Sequence, residues 1–220
     1  MRKLVISTFI TLDGIMQAPG GPGEDPSGGF SHGGWSVNYW DDMMGAAMDE
    51  AMSTPCDFLL GRKTYEIFAA HWPYVTGDPV ADKLNSAAKY VASTTLDRVD
   101  WNNSILINGD VGQQVASLKE QNGAELQVQG SWKLIQTLLK HGLIDEYRLW
   151  IFPVVLGHGK RLFGDGTIPA GLTLREAKTS TTGVVMATYE HAGAVETGSF
   201  ALEEPTDAEI DRRQRLTDHG

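Results

Sequence analysis

The segment ELQVQGSWKLIQTLLKHGLIDEYRLWIF, residues 125–152, holds a strand, a helix and a second strand in succession. Residues 125–130 read as a strand, and Ser131 is placed to cap the helix that follows. That helix carries four apolar residues at helical spacing: Leu134, Ile135, Leu138 and Leu139. Gly142 marks its end, as glycine commonly does. A strand–helix–strand succession of this kind predicts an α/β domain with a largely parallel sheet.

The same alternation continues on the N-terminal side of this segment. The β-branched residues of the opening stretch MRKLVISTFITL predict a buried first strand rather than a signal peptide. Further strands are predicted at 56–61, 89–94 and 104–110. One helix is predicted at 39–53, with Ser36 or Asn38 as its N-cap. Two more are predicted in KTYEIFAAHW, after the second strand, and around Val111, Val115 and Leu118. The final third instead has strands without helices between them, at 146–157, 172–180 and 183–192. The sequence therefore predicts a mixed, mostly parallel central sheet with an antiparallel C-terminal hairpin.

Composition and charge exclude several classes of function. A net charge of −10 over 220 residues disfavours a nucleic-acid partner. Cys56 is the only cysteine, and the six histidines show no ligand spacing, so neither a disulfide framework nor a metal site is expected. No apolar run approaches the ~20 residues of a membrane span. A reducing, cytoplasmic location fits best.

Two segments stand apart from the alternating elements. Residues 18–35 contain seven glycines and three prolines, which predicts a long loop of the kind that often covers a binding site. Residues 194–220 are acidic and poor in large apolar side chains, so they are expected to form an extension of a domain that spans 1–193. A short helix over 206–216, capped by Thr206 or Asp207, fits the extension.

The stretch LLGRKTYE, residues 59–66, places Arg62, Lys63 and Thr64 at the first turn of a helix, where positive charge is unfavourable. A bound anion would account for these cations, although a solvated start of a surface helix would too. The turns at 108–110 and 130–132 also end strands with glycine. Two turns that suit phosphate binding in one sheet favour a dinucleotide ligand. The sequence contains no G-x-G-x-x-G, so a standard Rossmann site is not predicted. The segment VVLGHGKR (154–161) is not a P-loop, because it lacks the first glycine and the Ser or Thr of that motif.

Several motifs occur in order over about residues 3–192 and together resemble the dihydrofolate reductase superfamily, most closely the riboflavin-pathway reductase domain and its stand-alone bacterial relatives. The motifs are ITLDG (10–14), GGFSHGGW (28–35), LLGRKTYE, VAST (91–94), the run from Val128 to Phe163, and the closing hairpin. The resemblance implies a three-layer fold that binds NADPH without a Rossmann fingerprint, and assembly as a homodimer.

The same resemblance implies roles for individual residues. The matching cofactor positions are Gly61, Arg62, Lys63 and Thr64 in the basic turn, Ser93 near the 2′-phosphate, and Gly130, Ser131 and Trp132 under the pyrophosphate. Asp13 matches an acid beside the nicotinamide and is the candidate catalytic residue, with a turn role as the alternative. Trp35 and Trp40 would line the substrate pocket together with the 18–35 loop.

Two departures from the family leave the substrate open. Riboflavin-pathway reductases have an acidic residue before two glycines, where this chain has Gln129-Gly130-Ser131. Dihydrofolate reductases place a carboxylate in the first helix, and none of Asp41, Asp42, Asp49 and Glu50 is a clear match. The expected function is an NADPH-dependent reductase of a small heterocyclic or carbonyl substrate, similar to 5-amino-6-(5-phosphoribosylamino)uracil reductase or dihydrofolate reductase. The alternative is a nucleotide-binding protein of the same fold without turnover.

Overall fold

An eight-stranded mixed sheet forms the middle layer of the protein, and the computed structural model describes residues 1–219. The strands are β1 (Leu4–Thr11), β2 (Cys56–Gly61), β3 (Lys89–Ala92), β4 (Ser104–Ile107), β5 (Glu125–Val128), β6 (Glu146–Phe152), β7 (Leu172–Thr179) and β8 (Val185–His191). Their order across the sheet is β4-β3-β2-β5-β1-β6-β8-β7. The first six are mutually parallel, while β8 is antiparallel to both β6 and β7. The predicted mixed sheet with an antiparallel C-terminal hairpin is confirmed.

Helices cover both faces of the sheet. They are α1 (Asp42–Ser53), α2 (Arg62–Ala69), α3 (Pro79–Ser86), α4 (Val111–Glu120), α5 (Trp132–Lys140) and α6 (Asp207–His219). Because side chains alternate along a strand, β2 serves both faces. Leu59 packs in the cluster that contains α4 and α5, and Phe58 and Leu60 pack in the cluster beneath α2 and α3. The expected three-layer arrangement follows.

The N-terminus of α1 differs from the prediction. The helix begins at Asp42 rather than residue 39, and its cap is Asp41, whose carboxylate accepts a hydrogen bond from the Met44 N–H at 2.9 Å. The predicted caps Ser36 and Asn38 instead flank or lie in a short 3₁₀ turn, Val37–Tyr39. Asp41 has the extended backbone that a cap requires, so its carboxylate fixes the helix start.

Four predicted strands also end two or more residues earlier than expected, and one helix was not expected at all. β3 ends at Ala92, β4 at Ile107, β5 at Val128 and β6 at Phe152. Pro153 follows β6 and has no N–H to continue a ladder. The unpredicted α3 begins with Pro79 directly after its cap, Asp78, which is a common start for a helix.

The acidic extension carries α6 and little else that is regular. The described side chains of this segment from Ala194 onward are exposed apart from Glu209, which is partly covered. The predicted helix is present, and the Thr206 hydroxyl accepts from the Glu209 N–H at 3.4 Å. Whether residues 194–220 form a unit separate from 1–193 stays a prediction. Among the described residues 1–219, no helix combines the length and apolar character needed to cross a membrane.

Candidate active-site cleft

A large cleft of about 1240 Å³ opens at the carboxyl ends of β2, β3 and β5 and reaches across to β1 and β6. Ligand pockets usually measure ~300–1,000 Å³, so this cleft has room for a cofactor and a second small molecule. It brings together all eight residues that the sequence predicts to contact a cofactor: Gly61, Arg62, Lys63, Thr64, Ser93, Gly130, Ser131 and Trp132.

Two glycine turns touch each other at the centre of this cleft. The Gly61 N–H donates to the Gly130 carbonyl at 3.1 Å, and the Gly130–Ser131 peptide bond is cis. A Cβ at Gly61 would lie 2.1 Å from Ser131 Oγ, and one at Gly130 would lie 2.4 Å from Thr64 Oγ1. Neither position has room for a side chain, so the glycines let the starts of α2 and α5 meet.

The helices that start at these turns differ from the others in their caps. The N-termini of α1, α3 and α4 are capped by the carboxylates of Asp41, Asp78 and Asp110. Within the described residues, no side chain caps α2, which follows Gly61, or α5, which follows Ser131. First-turn N–H groups need an acceptor and carry the positive end of the helix dipole. Two uncapped N-termini side by side offer free N–H groups that can bind an anion such as a phosphate.

Cations surround these N-termini. Arg62 lines the cleft with 45% of its side chain exposed, and its guanidinium lies 3.3 Å from Glu66 Oε1 one helical turn away. The Lys63 ammonium lies 3.2 Å from Asp25 Oδ1. Lys133, in the first turn of α5, lines the cleft as well. An anion bound here would meet positive charge from both helices.

Ser93 lies in the turn after β3, where its oxygen accepts hydrogen bonds from the Thr95 N–H at 3.1 Å and the Leu96 N–H at 3.0 Å. Its hydroxyl hydrogen can still be donated to a ligand. Thr94 and Thr95 line the cleft beside it and are more exposed than Ser93. No sequence pattern favours these two threonines over Ser93.

The glycine-rich loop lies along the cleft and is fixed by buried Gln17. Its amide donates to the carbonyls of Asp25 and Ser27 at 2.9 Å each, and its oxygen accepts from the Lys160 N–H at 3.1 Å. The Lys160 ammonium in turn donates to Ser27 Oγ at 2.8 Å and to Asp25. The loop is therefore an ordered wall of the cleft, as its composition alone could not show.

The carboxyl groups of Asp25 and Glu24, both on this loop, have pKa values that are shifted in opposite directions. Burial opposes ionisation of Asp25, but hydrogen bonds from Lys160, Ser27 and Lys63 outweigh it and lower the pKa of Asp25. For Glu24, burial dominates and raises the pKa, although its carboxylate accepts from the Gly20 N–H at 2.7 Å. Asp25 therefore stays an anion, while Glu24 takes up a proton more readily.

Asp13 and Trp35 lie elsewhere than predicted. Among the described residues, neither belongs to the cleft lining. The Asp13 carboxylate accepts from Thr11 Oγ1 at 2.5 Å and from the Gly157 N–H at 2.8 Å, and these bonds outweigh burial and lower its pKa. This geometry favours the turn role of Asp13, so its catalytic role stays a prediction that the geometry does not support. The Trp35 indole donates a hydrogen bond to the Gln17 carbonyl at 2.8 Å and so helps to hold the loop in place.

Trp40 does line the cleft, and it belongs to a group of three aromatic rings that we call the aromatic platform: Phe9, Trp40 and Trp150. Phe9 and Trp150 are direct neighbours across β1 and β6. Phe9 and Trp150 are not recognisable from the sequence as cleft residues, because their proximity depends on the register of two strands far apart in the chain. The α1 residues that line the cleft are Met48, Ala51 and Met52; among the described residues, no acid of α1 does.

Comparison with known proteins agrees with this geometry. The chain is 31% identical over 201 residues to the uncharacterized protein YyaP of Bacillus subtilis, covering 87% of this chain and 96% of that protein. The structure is similar to that of a putative riboflavin biosynthesis protein from Shewanella sp. PV-4, with a TM-score of 0.61, 22% identity, and coverage of 87% of this chain and 99% of that one.

A second solved structure with this fold is dihydrofolate reductase from Enterococcus faecalis, with a TM-score of 0.54, 12% identity, and coverage of 86% and 96% of the two chains. Finally, the sequence pattern of the RibD C-terminal domain matches residues 2–187, which include every element from β1 to β6 and the cleft between them. This chain therefore belongs to the RibD C-terminal domain family, and this match supports a reductase-type function.

Proposed function

We propose that the protein is an NADPH-dependent reductase that transfers a hydride to a small heterocyclic or carbonyl substrate. The observation that carries this proposal is the pair of uncapped helix N-termini at Gly61 and Ser131, which meet in the cleft while α1, α3 and α4 have carboxylate caps. A cap contributes ~0.5–2 kcal/mol to stability. Leaving both ends open in one cleft fits a pyrophosphate that supplies the missing acceptors.

The charges and shape of the cleft support the same cofactor. Arg62 and Lys63 provide cations beside the uncapped ends, and the Ser93 turn adds hydroxyl groups on the next strand. The glycine contacts bring the two turns close enough for one diphosphate to bridge them. The E. faecalis dihydrofolate reductase, which shares the fold, was solved in complex with NADP(H).

The bound cofactor supplies the hydride, and the chain supplies binding, orientation and a dry surface. The ordered loop around Gln17 and the aromatic platform would exclude water from the reacting groups. A proton is also needed when a C=N or C=O bond is reduced. Glu24 lines the cleft with a raised pKa and could hold that proton more readily than Asp13, whose pKa is lowered.

The test is a binding and turnover assay on the purified full-length protein. We expect NADPH to bind at micromolar concentration by calorimetry, and its absorbance to fall when a pterin, an aminopyrimidine or a quinone that is a substrate is added. Binding of NADPH without turnover of any such compound would support the alternative, a nucleotide-binding protein of the same fold. Failure to bind either NADPH or NADH below millimolar concentration would refute both.

We also propose that the protein is a cytoplasmic homodimer. The apolar strand β6 is covered on both faces within its own chain, since Trp150 and Phe152 pack beneath α1 and Leu149 packs in the cluster of α4 and α5. β7 is the better candidate for an interface, because it is an edge strand and all its residues are exposed. Light scattering at micromolar concentration tests this, and a single 24.0 kDa species would refute it.

A further inference from the structure

The aromatic platform gives the β1–β6 side of the cleft a flat, apolar surface. The Phe9 and Trp150 ring centroids are 5.2 Å apart with planes 29° from parallel, and those of Trp40 and Trp150 are 5.7 Å apart at 21°. Trp40 nevertheless leaves 45% of its surface exposed. A large aromatic side chain that is stacked on one side and open on another offers a ring face to a ligand.

The sheet order separates this platform from the groups proposed to hold phosphate. The turns with Gly61, Ser93 and Gly130 follow β2, β3 and β5, whereas the platform lies on β1, β6 and the segment before α1. The helix α1 contributes Met48, Ala51 and Met52 to the lining, and Met48 packs in the same cluster as Phe9 and Trp150. The substrate side of the cleft is therefore built from rings, aliphatic or thioether groups and, on β1, the uncharged residues Ser7 and Thr8.

Positive charge is scarce on this side. Neither β1 nor α1 contains a lysine or arginine. Arg148 of β6 is held by Glu125 at 2.6 and 2.9 Å and by Glu146 at 2.6 Å, and it lies outside the described lining of the cleft. Lys63 and Lys160, which do line it, both pair with Asp25. A phosphate or carboxylate group on the substrate would therefore have to share the cations that are proposed to bind the cofactor.

Resting on the proposed function, we infer that the substrate is a flat, uncharged conjugated ring compound with a reducible C=O or C=N bond, and not a phosphorylated or carboxylated one. Stacking on an aromatic side chain favours such a ring, by about 5- to 100-fold in affinity for each ring contact. An anion on the same ring loses its hydration without gaining a counter-charge, which disfavours it strongly.

The test compares two ligands that share one ring system, 2-acetylnaphthalene and 6-acetyl-2-naphthoate, by calorimetry on the full-length protein saturated with NADP⁺. We expect the neutral ketone to bind at least about 10-fold more tightly than the carboxylate. Trp40→Ala should weaken the neutral ketone by about 10-fold, while Trp40→Phe, which keeps a ring, should stay within about 3-fold of the wild type. NADP⁺ affinity should be unchanged in both variants.

A charge-introducing variant tests the same inference in the opposite direction. Ala51→Lys places a cation in the cleft lining and should bring the carboxylate to at least equal affinity with the neutral ketone, whereas Ala46→Lys, on the exposed side of α1, should not. Equal or tighter binding of the carboxylate by the wild type, or tighter binding of uridine 5′-phosphate than of uridine, would overturn the inference. Absence of NADP⁺ binding would instead refute the proposed function, and the same ligand pairs on the protein without cofactor would still test the platform.

Discussion

Replacing Arg62 with alanine tests whether the basic turn after β2 binds a nucleotide phosphate. Among the described residues, Arg62 forms a single ion pair, an exposed one with Glu66 at 3.3 Å in which both side chains are 45% exposed. Such a helical pair contributes about 0.3–0.5 kcal/mol, so the loss of stability in Arg62→Ala should be small. A charge-assisted hydrogen bond to phosphate is worth about 1.5–3 kcal/mol, so NADPH should bind roughly 10- to 100-fold more weakly.

Calorimetry with NADPH and NADH distinguishes which phosphate Arg62 contacts. If it binds the 2′-phosphate, NADPH affinity falls and NADH affinity changes little, whereas a contact with the pyrophosphate weakens both equally. Arg98→Ala is the matched control, because Arg98 is 82% exposed, pairs with nearby Asp100, and lies outside the described cleft lining. A change below 2-fold for both cofactors in Arg62→Ala would refute a phosphate contact and leave a solvated helix start as the explanation.

Three further perturbations test other parts of the structure. Gly61→Ala forces a Cβ to 2.1 Å from Ser131 Oγ, so urea unfolding should show that the free energy of unfolding falls by about 1–3 kcal/mol, and NADPH should bind more weakly. The control is Gly45→Ala, which should not destabilise, because the nearest atom outside the local backbone, Trp40 Nε1, is 4.0 Å from the added Cβ. Equal effects of the two substitutions would argue against a tight contact between the turns. Asp25→Asn should destabilise the protein at neutral pH. Because the pKa of Asp25 is lowered in the folded state, its contribution to stability is complete above about pH 4 and is lost as the pH falls through that lowered value. The difference in stability between the variant and the wild type should therefore shrink in acid, and a difference that stays constant would contradict an ion-pair origin. Deleting residues 194–220 should shift the melting temperature by no more than a few degrees, since almost all the described side chains there are exposed; a larger loss would mean that the extension docks on the domain.

Local sequence patterns determined the class of fold and the position of the turns that line the cleft. Strand and helix periodicity, which depends on neighbours in the chain, was sufficient for the alternating elements other than α3 and for the C-terminal hairpin. The turn at Gly61–Thr64 was recognisable because its cations are unfavourable at a helix start without an anion. Helix ends were less certain, since Asp41 rather than Ser36 or Asn38 caps α1 and only the backbone conformation decides between them.

Tertiary structure alone decided which distant residues share the cleft. Phe9 and Trp150 become neighbours through the register of β1 against β6, and a shift of one residue would turn one of them to the other face. Gln17 and Lys160 meet across 143 positions of the chain, so no local pattern could reveal that the glycine-rich loop is ordered. The sequence placed Asp13 near the chemistry by resemblance, but its bonds to Thr11 and Gly157 hold it in a turn outside the described cleft lining, because a carboxylate is positioned by the donors that fold around it.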